Sequence, residues 1–250
     1  MLCRLRGPCL LILLALIAST ACGGTSTLFR QYEYEEEVYL SLDGSATVYV
    51  NSSLAALNAL RGTSFDTDPN ARVDTAAVRA YYSTPATRVI RVSQSRRNNR
   101  RFVHVRLDVD DVTRLADAPP FAWSTYRFTR DGDLFKYLQT VGAAAAKDPG
   151  NAGWNGSEIV AFRLHLPSKI RYHNTKRDVG RGNILVWEQS LADRLRSVPV
   201  ELDARMDRQS ILYTTLWLFG ITFVAVALAF CGVIWWVIRK GGRERQQQAL

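Results

Sequence analysis

Seven arginines crowd one short stretch of the chain: Arg88, Arg91, Arg96, Arg97, Arg100, Arg101 and Arg106. Four of them, Arg96, Arg97, Arg100 and Arg101, flank the turn-forming pair Asn98-Asn99. A guanidinium presents a planar fork of donors that matches phosphate oxygens two at a time. Each basic residue beside an anionic bilayer contributes about 1 kcal/mol. The four are therefore the candidate contact for an anionic ligand. The competing reading is a solvated hairpin tip whose charge discourages edge pairing.

The other residue types that could do chemistry form no set. Glu33, Glu35, Glu36 and Glu37 are the densest acidic run. On a strand, Glu33, Glu35 and Glu37 share one face and read as a solvated row, because a calcium site needs oxygens converging from several loops. Asp131-Gly132-Asp133 reads as a turn. His104 shares strand parity with Arg106, and His165 with Arg163, so both are expected to face solvent. His173 falls in a turn-rich stretch, and the three histidines have no metal-ligand spacing. Gly180-Arg181-Gly182 lacks a following helix signal, which argues against a phosphate cradle. There is no Gly-x-Ser-x-Gly element, and no serine stands in a recognisable hydrolase setting. The expectation is a non-enzymatic protein with no cofactor and no metal.

Four cysteines are present, Cys3, Cys9, Cys22 and Cys231, and none lies between residues 23 and 210. That excludes a disulfide framework or a thiolate metal site there. Residues 1–22 read as an export signal: Arg4 and Arg6 are the basic start, Cys9 to Ile17 the apolar run, and Ser19-Thr20-Ala21 the small-residue cleavage stretch. The segment Ile17 to Gly23 resembles the lipobox of bacterial lipoproteins, although Ser19 stands where that motif prefers Leu. The resemblance implies lipidation at Cys22, a second anchor in which each buried methylene contributes about 0.8 kcal/mol. The alternative is an ordinary signal whose cleavage site adjoins a cysteine.

Residues 211–238 contain no Asp, Glu, Lys or Arg, long enough for a span that needs roughly 20 apolar residues. Tyr213 and Trp217 flank one side, and Trp235 and Trp236 the other, as interfacial aromatics do. Arg239, Lys240, Arg243 and Arg245 follow and mark the cytoplasmic side. The domain plan is an export signal at 1–22, an extracytoplasmic domain at 23–208, a transmembrane helix at 209–238 and a basic cytoplasmic tail at 239–250. This places the chain in the cytoplasmic (inner) membrane as a single-pass protein. Formal charge is +9. Setting aside Arg4, Arg6, Glu244 and the four basic tail residues leaves the middle at about +4, no argument for nucleic acid.

Alternation through Tyr32, Tyr34, Val38, Leu40 and Leu42, a turn at Asp43-Gly44, and Ala46, Val48 and Val50 predict a first hairpin. Leu54 to Leu60 predicts a helix between an Asn51-Ser53 cap and Gly62, and Asp74 starts another through Tyr82. Further hairpins are expected at 89–94 with 102–109 and at 123–128 with 134–141, separated by a short helix that Pro119-Pro120 ends. Residues 142–157 read as a mobile loop. Strands follow at 159–166, 184–189 and near 198–202, and residues 203–210 serve as a connection to the span. The fold class is α+β, a mainly antiparallel sheet with a few short helices on one face, plus one C-terminal transmembrane helix.

The lipobox-like end, Leu42-Asp43-Gly44-Ser45, the helix after the second strand, Leu166-Pro167-Ser168-Lys169-Ile170, Asn174, Gly182-Asn183-Ile184, Val186-Trp187-Glu188 and the terminal span together resemble the LppM-type bacterial lipoproteins. The likeness implies a small α/β ectodomain that contacts envelope lipid and brings no catalytic residues. Residues 62–158 depart from that pattern. The functional expectation is a tethered envelope domain contacting membrane lipid, glycan, an anionic envelope polymer or a membrane protein. The alternative is a subunit or assembly factor of a membrane complex, recognised through the span.

Overall fold

The computed structural model describes residues 30–247. The export signal and Cys22 lie outside the described residues. Ten strands form two sheets sharing one core, followed by a long terminal helix.

The first sheet has the order β3-β4-β2-β1-β7-β9. Its strands are β1 (Tyr32–Leu40), β2 (Ala46–Ser53), β3 (Arg88–Arg97), β4 (Arg100–Val109), β7 (Ile159–His165) and β9 (Ile184–Ser190). All neighbours are antiparallel except β1 and β7. The second sheet, β5-β6-β10-β8, contains β5 (Ser124–Asp131), β6 (Leu134–Val141), β8 (Ser168–His173) and β10 (Val200–Ser210), and is antiparallel throughout. The predicted α+β class stands, but a second sheet, rather than helices alone, closes the core.

The period-two pattern explains which face is buried. Tyr34, Val38 and Leu40 on β1, Val48 and Val50 on β2, and Val103, Val105 and Leu107 on β4 point inward. They meet Tyr126, Tyr137, Leu202, Ala204 and Met206 from the second sheet. Each large apolar side chain fully withdrawn from water contributes about 1.5–3 kcal/mol.

Helix α1 (Leu54–Arg61) is capped as its sequence requires: the Ser53 hydroxyl accepts from the Ala56 N–H, and Gly62 takes the left-handed conformation at φ 71°. Helix α2 (Thr75–Tyr82) is capped by Asp74. Two 3-10 turns, Val112–Asp117 and Pro119–Phe121, and the short helix α3 (Leu191–Leu195) complete the domain.

Two segments differ from expectation. Strand β8 occupies a stretch read only as turns, and β10 runs on to Ser210 where a connection was expected. In β10 the inward residues are Leu202, Ala204 and Met206, a weak strand signal because Ala is depleted in strands. Its outward charges are satisfied across strands: Asp203 by Lys136 at 3.5 Å and Asp207 by Arg171 at 2.6 Å. Residues 142–157 carry no regular structure but are tied down. Ala145 and Lys147 donate to the Leu60 and Ala59 carbonyls, and Gly142 donates to the Trp123 carbonyl at 2.6 Å. A side chain at Gly142 would meet that carbonyl oxygen at 2.9 Å.

Helix α4 (Ile211–Gln247) starts at the residue after β10 ends. The Ile211 N–H donates to the Pro167 carbonyl at 3.1 Å, which fixes its start to the β7–β8 joint. Within it, Ile211–Trp236 is long and apolar enough to cross a membrane, with mean hydropathy 2.4.

Candidate functional site

The arginine turn forms as its sequence demands. Asn98 and Asn99 take φ 50° and 56°, the two left-handed residues of a tight hairpin turn, a conformation asparagine tolerates. The four flanking arginines then part company. Arg100 is 7% exposed and Arg101 5%. Arg100 pairs with Glu33 at 3.3 Å and Glu158 at 3.6 Å and donates to the Gly153 carbonyl. Arg101 donates to the Ala71 and Asp66 carbonyls and pairs with the Asp66 carboxylate. Both are covered by loops 62–74 and 142–157, so neither is open to an anionic ligand as the sequence suggested. Arg96 and Arg97 remain exposed. Arg96 donates to Asn99, while Arg97 donates to the Tyr32 carbonyl and lies over the Phe102 ring at 4.5 Å.

Position matters as much as exposure. The paired residues His165, Tyr39, Thr47, Asp108 and Arg88 form a row across the first sheet at the end where the chain enters α4. Arg97 and Arg100 close the opposite end. At about 3.3 Å per residue, the run from Asp108 to Arg100 covers about 26 Å. The tip therefore lies at the end of the first sheet away from the start of α4.

The acidic run is not a solvated row. Glu36 falls in the inward phase of β1 between Tyr34 and Val38, and it is 1% exposed. Its carboxylate accepts from the Tyr126 hydroxyl at 2.9 Å, the Gln139 amide at 2.8 Å and the Tyr34 hydroxyl at 3.1 Å. Tyr137 in turn donates to Gln139 at 2.7 Å. Burial raises the Glu36 pKa above the usual carboxylate value, and these donors only partly offset it. Glu33 is also buried, accepting from the Trp154 indole, and its pKa is raised by burial. Only Glu35 and Glu37 occupy the outer face, joined to Arg163 and His165 at 2.5 Å each.

The outer face of the first sheet also assembles a group that no spacing rule could show. The strand register sets Asn51 on β2 opposite His104 on β4 and puts Ser95 on β3, the partner of Phe102, on the diagonal from His104. Ser95 Oγ lies 2.8 Å from His104 Nε2, and His104 Nδ1 lies 2.9 Å from Asn51 Oδ1. Asn51 Nδ2 donates to Glu35 at 3.2 Å. These residues, with Tyr32, Arg97 and Phe102, line a cleft of about 190 Å3. His104 therefore faces a built polar cleft rather than open solvent, and burial, then Arg97, lower its pKa.

No protein-family model and no curated protein matches this chain. Among solved structures the chain is similar to the folded domain of LppM from Mycobacterium tuberculosis, determined by NMR. The two share 14% identity at a TM-score of 0.40, over 74% of this chain and 95% of that one.

Cys22, the proposed lipidation position, lies outside the described residues. Of the basic tail, Arg239 stacks on Trp235 at 4.9 Å.

Proposed function

We propose that this chain is a membrane-tethered module of the bacterial cell envelope, with the two-sheet domain outside the cytoplasmic membrane and the C-terminus inside. The observation that carries the reading is the direct passage of β10 into an apolar helix. Residues of α4 such as Leu212, Phe219, Phe223 and Phe230 are exposed on every side and need a hydrocarbon solvent. Arg239 at the far end of the span supports the orientation.

In this reading the domain presents its far end, with Arg96 and Arg97, to an anionic envelope polymer. Long-chain polyphosphate serves as the probe, with the full chain held in uncharged detergent. Binding weakens as salt rises, because the screening length contracts from about 10 Å at 0.1 M to 3 Å at 1 M. The double variant Arg96→Ser/Arg97→Ser loses most of the binding. A parent that does not bind, or a double variant that binds equally, overturns the polymer contact.

A second reading, a subunit of a membrane complex, draws on the groove beside Tyr213, Leu216, Trp217, Gly220 and Val224 on α4. A stoichiometric membrane partner that co-purifies with the full chain and is lost with Gly220→Leu would favour it.

A further inference from the structure

We propose that Ser95, His104 and Asn51 act as nucleophile, general base and orienting group in the hydrolysis of short-chain carboxylic esters. The inference stands on the geometry of the outer face and does not depend on the polymer contact.

Proton positions follow from the bonding partners. Glu35 is paired with Arg163 and, as a carboxylate, accepts only. The Asn51 group that meets Glu35 is therefore the NH2, and its carbonyl oxygen turns to His104. An acceptor at His104 Nδ1 requires a proton there. In the neutral imidazole the lone pair then sits on Nε2, 2.8 Å from the Ser95 hydroxyl, which donates to it. This is the relationship a serine nucleophile needs: a base within hydrogen-bond reach, held in one tautomer by a third group. Ser95 is exposed, His104 is half-buried, and each member stands on a different strand, so the set is braced by the ladder between them.

The chemistry balances with water as the only co-reactant. Ser95 Oγ bonds to the ester carbonyl carbon while its proton passes to His104 Nε2. The displaced carbonyl electron pair resides on oxygen, in the cleft that Arg97 lines with positive charge. The C–O bond to the alcohol breaks, and the alcohol leaves with the proton from His104. Water then gives a proton to His104 and adds to the acyl-serine carbonyl. The Ser95–acyl bond breaks, releasing the carboxylic acid and restoring the serine hydroxyl. The Phe102 and Tyr32 rings beside this point suit a short acyl chain, and a cleft of about 190 Å3 holds little more.

The test uses the full chain in detergent micelles, a fluorophosphonate probe and p-nitrophenyl butyrate. The probe should label Ser95, located by peptide mass spectrometry, and Ser95→Ala should abolish both labelling and ester turnover. His104→Gln should slow labelling by at least about 100-fold, the low end of what a positioned general base supplies. The labelling rate should rise with pH as His104 deprotonates, with a midpoint below about 6.5, the ordinary value for histidine. The charges around that ring are Glu35 on β1, Arg91 and Arg97 on β3 and Arg106 on β4. An unlabelled Ser95 in the parent, or labelling of His104→Gln at the parental rate, overturns the proposal. The parental result requires no variant to fold, and polyphosphate binding by Ser95→Ala keeps the two proposals separable.

Discussion

Glu36 on β1 and Tyr126 on β5 meet at 2.9 Å across the core, a hydrogen bond that joins the two sheets through a buried carboxylate. With Gln139 and Tyr34 completing its shell, Glu36 is the polar pin of an otherwise apolar interface.

That pin makes stability depend on pH in a defined direction. Burial raises the folded-state pKa of Glu36 above its unfolded value near 4.5. The folded state therefore binds the proton more tightly, and the associated stability is present below that value and is lost as pH rises through the folded pKa. Urea unfolding of parent and Glu36→Gln across this range should give a parent-minus-variant difference that falls as pH rises. A difference that rises instead would mean a depressed pKa. Glu36→Leu should cost several kcal/mol at any of these pH values, at roughly 1–3 kcal/mol for each buried donor left unpaired.

The four tip arginines should separate sharply by stability. Arg100→Met leaves Glu33 and Glu158 without their buried counter-charge and should cost about 3–5 kcal/mol. Arg96→Ser, at an exposed turn, should stay within about 0.5 kcal/mol of the parent. Equal costs in chemical denaturation would show that burial of Arg100 is not what organises this end.

Lipidation of Cys22 together with the apolar helix would anchor the chain twice, a redundancy that fractionation can expose. A chain stopped after Ser210 should remain with membranes if Cys22 carries lipid, and the same chain with Cys22→Ser should become soluble. A reporter fused after Leu250 should behave as cytoplasmic, while one inserted at Asp148, an exposed position in the long loop, should not. Reporters agreeing on one side would show that the helix between them does not cross, and reporters with exchanged sides would invert the topology.

The hairpins were legible because alternation and turn residues coincide, as at Asp43-Gly44 and Asn98-Asn99. Glu36 shares the parity of Tyr34 and Val38, but the acidic neighbours Glu33, Glu35 and Glu37 masked its burial. Burial of Arg100 and Arg101 was not legible, because the loops that cover them join the tip only through tertiary contacts with Asp66, Ala71 and Gly153. The same holds for Ser95, His104 and Asn51. Their meeting depends on the register of three strands, which side-chain period alone does not specify.

The joint between β10 and α4 also determines how the molecule would carry load. In the second sheet β10 lies between β6 and β8, bonded on both sides, and it continues into α4 without a slack linker. If the far end is held while the membrane moves, tension enters along the axis of β10. The two ladders flanking it are then strained together in shear, whereas a peripheral strand pulled sideways would yield one bond at a time. A pull on α4 is thus shared between the β6 and β8 ladders from the first residue of the sheet that it meets.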